Sequence, residues 1–244
     1  MGERVIGVVT EVNRFPVKSM RAEPLEVGDL RWTGLHGDRQ YAYLKQTDRG
    51  RFPWLTGRDV SELVLWRARY EDPADPRGAA LRVTTPDGEE HAADDPAVLA
   101  HLAAAAGEPI GLLQIGRGCF DAMPISVLAT TTEAALDTLH GAPLGTRRFR
   151  ANVVIRTDAA AGREVDWCGR SLRFGEAADA AQVAVDWAIP RCAMVTIDPD
   201  TAAREPAVLR RVAQDFANEI GAYATPERLG RIAVGDPVIL RDRA

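Results

Sequence analysis

The sequence predicts a mixed, mainly β protein, and three observations support this fold class. Residues 4–70 contain short β-type runs between glycine and proline turns, including the alternating segment Leu25 to Trp32. An Ala-rich helical segment, Ala97 to Ala106, follows Asp95-Pro96. Near the end, Glu205 to Ile220 has apolar residues on one helical face. Many short strands between turns are typical of an antiparallel β-barrel or sandwich.

The composition is that of an ordinary globular protein and excludes several classes. The chain has 244 residues, a net charge of -5 and 46% hydrophobic residues, enough for one large domain or two packed ones. The acidic balance argues against a broad nucleic-acid surface, and no apolar run suggests a signal peptide or membrane span. The three cysteines, Cys119, Cys168 and Cys192, form neither a disulfide framework nor a zinc motif. We expect a protein of the reducing cytoplasm.

In the first 95 residues, strands and turns alternate. The pattern predicts strands and turns in these places: strands at Val5 to Val12, Tyr41 to Leu44, Leu63 to Tyr70 and Ala80 to Thr84, and turns at Gly34 to Arg39, Thr47 to Gly50 and Pro86 to Gly88. Asp95 is the expected N-cap of the next helix, with Pro96 at its first position, and Gly107 is its expected end. We place a domain division here, giving domains 1–95 and 96–244.

In the second part, strands and helices are mixed. Thr130 and Glu133 have the spacing of a capping box, which predicts a helix to about His140. The expected strands are Ile125 to Ala129, Phe149 to Ile155, Ser171 to Phe174 and Ala181 to Val185, and the last segment, Gly230 to Leu240, reads as a hairpin-like pair.

The segment Ile189 to Thr201 contains the most distinctive chemistry. Cys192 stands beside Arg191, and a thiol next to a guanidinium is expected to be partly thiolate, the form that binds soft metals or attacks electrophiles. Ala193 to Ile197 reads as a short buried strand, and Asp198-Pro199-Asp200 as the turn that ends it. A free cysteine can equally be a small buried hydrophobe.

Four further groups are suited to anion binding. They are Lys18-Ser19 in a bend, Arg39 after a glycine turn, Thr130 to Thr132 at a helix start, and Arg148, Arg150 and Asn152, which strand alternation places on one face. Each group has a structural alternative. The cations can be solvated surface charges or partners of carboxylates such as Glu164 and Asp166, and the threonines can simply cap a helix.

Other catalytic patterns are weak. The four histidines are scattered, and no Walker A or GxGxxG motif occurs. Asp121 can orient a group in a site or act as a turn carboxylate.

Several motifs in order give the chain a family resemblance. They are Arg14 to Met20, Gly34 to Arg39, Leu55 to Arg58, Phe120 to Pro124, Arg147 to Asn152, Arg191-Cys192 with Thr196 to Thr201, and Gly230 to Asp236. With these, the chain resembles the MOSC family (molybdenum cofactor sulfurase C-terminal domain), preceded by that family's N-terminal β-barrel domain. The resemblance covers almost the whole chain and implies an N-terminal β-barrel-like domain packed on a MOSC β-barrel with flanking helices.

The nearest pattern is that of the amidoxime-reducing components and their bacterial counterparts, which reduce N-hydroxylated compounds. The resemblance implies a molybdenum cofactor (molybdopterin) with Cys192 as metal ligand, and pyridoxal phosphate is not expected. It assigns cofactor binding to Lys18, Ser19, Arg39, Thr131, Thr132, Arg150, Asn152 and Arg191, and the face prediction adds Arg148. Asp121 is the expected proton-handling or orienting residue.

The expected partners are a small-molecule substrate and a separate electron-transfer protein of ferredoxin or flavoprotein type, with no nucleic acid and no membrane. The separate donor is expected because the sequence lacks the four-cysteine motif of relatives that carry a ferredoxin-like domain. Ala202 stands where the family usually has Gly after Asp-Pro-Asp-Thr, so the loop there is expected to differ. Two alternatives remain: a sulfur carrier with a Cys192 persulfide, and a cofactor carrier without turnover.

Overall fold

The computed structural model describes residues 2–50 and 52–243, and within them β-strands dominate. The strands are β1 Arg4–Arg14, β2 Glu23–Leu25, β3 Val27–Arg31, β4 Gly34–Leu35, β5 Tyr41–Lys45, β6 Arg67–Tyr70, β7 Leu81–Thr84, β8 Glu90–Ala92, β9 Ile110–Gln114, β10 Ile125–Ala129, β11 Val153–Thr157, β12 Arg170–Phe174, β13 Gln182–Pro190, β14 Glu219–Arg228, β15 Gly230–Ala233 and β16 Pro237–Asp242. The α-helices are α1 Pro96–Ala106, α2 Thr130–His140 and α3 Pro206–Asp215.

Seven strands form a closed barrel. Their order is β11-β10-β14-β13-β12-β16-β1, and β1 pairs with β11 to complete the ring. All of these pairs are antiparallel except β10 with β11. The interior is filled by buried side chains from most of the strands, among them Val9, Val127, Ile155, Val183 and Leu240. Alternation along each strand places these residues inside, and closure leaves the ring without an exposed edge.

Strand β1 is the closing strand, because it pairs with β11 on one side and β16 on the other. Its ladders contain irregularities on both sides, which bend the strand around the barrel. A Cβ at Gly7 would lie 2.2 Å from the carbonyl oxygen of Arg156, so only glycine permits this approach.

Three small sheets accompany the barrel, β5-β9, β6-β7-β8 and β15-β3-β4. Most of their strands come from the N-terminal part, but β9 and β15 come from later in the chain. The core of the N-terminal part contains the fully buried side chains of Tyr43, Trp66 and Tyr70, together with residues of α1. Helix α1 has the predicted ends: the Asp95 carboxylate accepts from the amide of Ala97, and Gly107 follows in the left-handed conformation.

Helices α2 and α3 pack on the outside of the barrel and share a third cluster. Leu136 of α2 and Val208 and Val212 of α3 pack there with Phe149 and Val195. The last two residues belong to short 3₁₀ helices, Thr146–Phe149 and Ala193–Thr196. This cluster therefore fixes the two turns that carry the predicted arginines and Cys192.

The predicted fold class is confirmed: the protein is mainly β, with a closed barrel and flanking helices. The predicted strand Leu63 to Tyr70 is wrong at its start, because Leu63 and Val64 lie in a 3₁₀ helix, Ser61–Val64, and β6 begins at Arg67. Beyond residue 140, four local predictions are wrong. Ala193–Thr196 is a 3₁₀ helix rather than part of a strand, closed by hydrogen bonds from the amides of Val195 and Ile197 to the carbonyls of Cys192 and Met194. Helix α3 ends at Asp215, and Ile220 already lies in β14.

The third error concerns the end of the chain, where β15 and β16 do not pair with each other. The first pairs with β3 and the second with β1 and β12. The fourth concerns Phe149 to Ile155, where a 3₁₀ turn precedes β11 and the strand begins only at Val153. The division into domains 1–95 and 96–244 stays a prediction. No helix in the described part of the chain is long and apolar enough to cross a membrane.

Candidate functional site

A cavity of about 440 Å³ opens beside the end of β13. Eight of the predicted site residues line it: Lys18, Ser19, Arg39, Asp121, Arg148, Arg150, Arg191 and Cys192. A larger cavity of about 890 Å³ shares Arg148, Arg150 and Met194 with it but is not lined by Cys192. Residues far apart in sequence thus converge on the smaller cavity.

Cys192 presents an exposed, free thiol to this cavity. It follows the last residue of β13, Pro190, by two positions and precedes the 3₁₀ helix Ala193–Thr196. The backbone is pinned at this point because Arg191 and Asn218 exchange hydrogen bonds. The alternative of a buried hydrophobic cysteine is therefore wrong for Cys192.

Arg191 is held rigidly by backbone carbonyls. Its Nε donates to Ile220 at 2.7 Å, and its Nη1 donates to Phe149 at 2.9 Å. The remaining nitrogen, Nη2, is buried without a partner in the described structure. A Cβ at Gly221, where φ is +74°, would lie 2.8 Å from this nitrogen. Burial lowers the pKa of Arg191 to about 10.

Lys18 and Asp121 form the ion pair on the opposite side. The Lys18 ammonium donates to Asp121 Oδ1 and to the carbonyl of Cys119, both at 2.8 Å. Burial lowers the pKa of Lys18, although the Asp121 carboxylate opposes that shift. Partial burial by itself would raise the pKa of Asp121, but Lys18, Arg39 and Arg58 together outweigh it, and the pKa of Asp121 is lowered. Asp121 is thus an ionised acceptor, its side chain 67% exposed.

Arg39 and Arg150 both lie against the ring of Phe15. Their Cζ atoms are 4.4 and 4.5 Å from the ring centroid. Arg39 is also fixed by Asp38 and donates to the carbonyl of Arg150 at 3.2 Å. Arg150 has no such anchor, because its Nη2 is buried without a partner. Burial and the neighbouring Arg39 lower the pKa of Arg150 to about 9.

The predicted strand face of Arg148, Arg150 and Asn152 does not exist, because these residues lie at a turn. Arg148 belongs to the 3₁₀ helix Thr146–Phe149, and Arg150 follows it with φ of +56°. Two arginines nevertheless reach the cavity. Arg148 donates to the carbonyl of Val195 at 3.3 Å and to Asp198 at 3.1 Å, and its Nε lacks a partner.

Asn152 does not line the cavity, but it accepts a hydrogen bond from Arg39, which does. Its side-chain oxygen accepts from Ser126, through both the amide and the hydroxyl, and from Arg39 at 3.3 Å. Its Nδ2 donates to Asp38 at 3.0 Å and to the carbonyl of Asn13 at 3.1 Å. Asn152 therefore acts by holding Arg39.

Three residues of the cavity have strained backbones. Ser19, Arg39 and Arg150 have φ values of 70°, 49° and 56°, a region that residues other than glycine rarely adopt. Such strain is concentrated at functional sites, where the surrounding structure enforces it.

The structure does not bring Thr131 and Thr132 to the cavity. Thr131 shares a hydrogen bond of 2.8 Å with Thr157, and Thr132 donates to the Glu164 carboxylate at 2.8 Å. The same carboxylate accepts from the amide of Ala129 at 2.5 Å. The helix begins at Thr130, with Ala129 as N-cap, so the predicted capping box is wrong. A buried internal carboxylate occupies the N-terminus of α2.

Several lining residues were missed by the sequence reasoning. They are Phe52, Thr56, Arg58, Ser126, Trp187, Met194 and Tyr223, among others. Thr56 and Arg58 lie in a motif that carried the resemblance, Leu55 to Arg58. For Ser126, Trp187 and Tyr223 the sequence contains no local signal, since their position depends on how β10, β13 and β14 pair.

The described residues contain no group of three or more His, Cys, Asp or Glu side chains that could hold a metal ion. Cys192 is the one cysteine that lines the cavity in the described part of the chain, so a metal there would need further ligands beyond those that the protein supplies.

The domain organisation agrees with a known family. The model for the MOSC domain matches residues 111–239, and that for the MOSC N-terminal beta barrel domain matches residues 6–107. Because the MOSC domain match alone spans more than half of the chain, the protein belongs to the MOSC domain family.

Two solved structures are similar to this chain at low sequence identity. The YUAD protein of Bacillus subtilis is 12% identical with a TM-score of 0.50, over 100% of this chain and 98% of that one. YiiM from Geobacillus stearothermophilus is 19% identical with a TM-score of 0.38, over 50% of this chain and 55% of its own. A search of curated proteins found no match.

Proposed function

We propose that this protein is a molybdenum-cofactor-dependent reductase of N-oxygenated small molecules. The observation that carries the proposal is the exposed Cys192 thiol in a cavity that is also lined by Arg148, Arg150 and Arg191, each of which has one buried nitrogen without a partner among the described residues. Thiolates bind soft metals, and guanidiniums bind phosphates.

The residues fit a cofactor that combines a metal with an organic anion. Nη2 of Arg150, Nη2 of Arg191 and Nε of Arg148 are buried donors without partners, and such donors are rare unless a ligand or water satisfies them. The described residues contain no group of three or more metal-ligating side chains, which suits a metal that brings ligands of its own. Gly221 permits the close approach of Arg191, because a Cβ there would lie 2.8 Å from the Arg191 Nη2.

For an amidoxime the proposed reaction is R–C(NH₂)=NOH + 2 H⁺ + 2 e⁻ → R–C(NH₂)=NH + H₂O. The N–O bond breaks, the nitrogen is reduced and the oxygen leaves as water. When bound, the cofactor supplies the two-electron redox chemistry. Cys192 would hold it at the exposed end of the cavity, and Arg39, Arg148, Arg150 and Arg191 would bind its anionic part.

Asp121 and Lys18 form the proton-handling pair of this proposal. The Asp121 carboxylate is exposed to the solvent and bonded to the Lys18 ammonium at 2.8 Å. Because burial lowers the pKa of Lys18, its ammonium can donate a proton within the cavity, and the Asp121 carboxylate orients that ammonium. The electrons would come from a separate protein of ferredoxin or flavoprotein type. A reducing cytoplasm belongs to the proposal because the Cys192 thiol must stay reduced.

The test is molybdenum analysis of protein purified from a host that makes the cofactor. The parent should contain close to one molybdenum per chain, and Cys192→Ser should lose it. Cys168→Ser is the matched control, because Cys168 is half-buried and does not line the cavity. The absence of molybdenum from the parent would overturn the proposal.

The exposed thiol also favours a second candidate, a sulfur carrier with a Cys192 persulfide. Mass spectrometry would then find one additional sulfur on Cys192 and no metal. A cofactor carrier without turnover would contain molybdenum, transfer it to a partner protein and show no reduction of amidoximes.

A further inference from the structure

An exposed tryptophan stands at the mouth of the cavity. Trp187 is 46% exposed, although it belongs to β13, whose neighbouring residues are largely buried. Phe52, 49% exposed, lines the same cavity. Large exposed aromatic side chains gathered at a concave site are typical of ligand contact rather than of folding.

A β-bulge aims Trp187 outward. The register of β13 against β14 shifts between Val185 and Trp187, and again between Ala188 and Pro190. An extra residue in a strand re-aims the side chains that follow it and is common beside active sites. Ala188 and Ile189 turn back into the core, so the irregular stretch exposes Trp187 selectively.

The indole has a fixed neighbour. Trp187 is paired with Tyr223 across the strands, and the two ring centroids are 6.1 Å apart at an interplanar angle of 68°. In this edge contact Tyr223, which also lines the cavity, braces the indole. Cys192 follows on the same segment five residues later, after Pro190 ends the strand. The aromatic surface and the thiol are therefore joined by one short, rigid stretch.

The rest of the described lining includes six cationic side chains: Lys18, Arg39, Arg58, Arg148, Arg150 and Arg191. Once the arginines have bound an anionic group, the exposed aromatic faces of Trp187 and Phe52 remain to contact a neutral substrate, and Trp187 is held in place by Tyr223 and by β13. A flat conjugated group gains stacking energy there, and a small aliphatic group does not.

We infer that Trp187 is a specificity-determining residue that selects planar, conjugated N-oxygenated substrates over aliphatic ones. This inference rests on the proposed function, since it names the part of the substrate that the same site recognises. Stacking on an aromatic side chain is worth enough to change affinity by roughly tenfold when the side chain is truncated.

The kinetic experiment compares benzamidoxime with acetamidoxime in the molybdenum-loaded protein. Trp187→Ala should raise the KM for benzamidoxime about tenfold, with kcat within twofold, and should leave acetamidoxime within twofold. Trp187→Phe should keep most of the preference. Trp32→Ala is the control, since Trp32 is 64% exposed but does not line the cavity. Equal losses for both substrates, or none, would overturn the inference.

A binding measurement separates this inference from the proposed function. Saturation-transfer NMR with benzamidoxime should show binding to the parent and to Trp32→Ala, and at least fivefold weaker binding to Trp187→Ala. If no variant reduces any amidoxime but this pattern holds, the reductase proposal fails and the recognition role of Trp187 stands. If the parent and Trp187→Ala bind benzamidoxime equally, the recognition role fails whatever the activity.

Discussion

The start of α2 and the turn from Thr146 to Asn152 both concentrate groups that attract anions, but they reach opposite states in the folded protein. At α2 the amide of Ala129 and the hydroxyl of Thr132 both donate hydrogen bonds to the carboxylate of Glu164. At the turn, Arg148 and Arg150 keep buried N–H groups without partners. The first region is a completed structural contact, and the second is available to a ligand.

Residue types therefore give a segment the capacity to bind an anion. The fold decides whether an internal carboxylate already occupies that binding position. A helix N-terminus attracts carboxylates and phosphates alike, so an internal glutamate competes with any ligand. Glu164 lies 32 residues from Thr132 in sequence, and only the packing of its 3₁₀ helix against the barrel brings it there.

Removing the internal carboxylate should have the largest effect. Glu164→Ala leaves the amide of Ala129 and the hydroxyl of Thr132 buried without a partner, which should cost about 3 kcal/mol of unfolding free energy. Urea denaturation measures it. Added formate should restore part of the loss, because it can enter the vacated space. Thr131→Val, which removes one partly buried hydrogen bond, is the control and should cost about 1 kcal/mol. A neutral Glu164→Ala would mean that α2 does not need this carboxylate.

The next effect concerns the free arginine. Arg150→Met should lower the retention of molybdenum cofactor by about tenfold or more, because it removes a charge-assisted hydrogen bond to an anion. The same change should raise the stability of the cofactor-free protein by on the order of 1 kcal/mol, since it removes a charge that burial and the neighbouring Arg39 destabilise.

Arg147→Met is the matched control for this change. Arg147 is half-exposed and paired with Asp200, so retention should change less than twofold. Molybdenum content after dialysis and thermal unfolding give the two readings. If both variants lose cofactor equally, the distinction between free and paired arginines is wrong.

A pH titration sharpens the comparison at α2. Burial raises the pKa of Glu164 above its ordinary value of 4.5, so the folded state holds the proton more tightly than the unfolded state. The stability that this proton contributes is fully present below the pKa of Glu164 in the unfolded state. It is lost as the pH rises through the pKa of Glu164 in the folded state. Glu164→Gln, which has no such proton, should therefore gain stability relative to the parent as the pH rises above 4.5. Parallel curves of unfolding free energy against pH would contradict this.

The smallest expected effect on stability concerns backbone strain outside the cavity. Ala202 has φ of 59°, a conformation that favours glycine, but it does not line the cavity. Ala202→Gly should stabilise the protein by about 0.5–1 kcal/mol without changing molybdenum content. Ala203→Gly is the neighbouring control and should not stabilise. A loss of stability in Ala202→Gly would show that the local backbone is not strained.

The fold class and most of the site were predictable because they rest on local patterns and ordered motifs. The alternation of short strands predicted the β architecture, and the arginine, lysine and cysteine positions marked the cavity. The substitution at Ala202 was visible in the sequence, and the structure confirms that glycine is the residue its conformation favours.

What could not be predicted depends on long-range pairing. Trp187 faces outward because β13 bulges against β14, and Asn152 works through Arg39 because both meet at the start of β11. Arg148 and Arg150 were expected on a strand, yet a turn brings them to the cavity. No spacing of residues in the sequence predicts any of these positions.

Strand β1 also has a consequence for how the chain is made. Its partners β11 and β16 begin at Val153 and Pro237, so the seven-strand ring closes only after the ribosome has produced every residue from β1 through β16. Until then β1 lacks both of its partner strands, and the growing chain has an open sheet with exposed edges. The matched segment 111–239 made by itself would lack the closing strand and should associate through those edges. During synthesis the barrel therefore stays open for a long interval. In that interval, protection from aggregation must come from something other than the closure of the barrel.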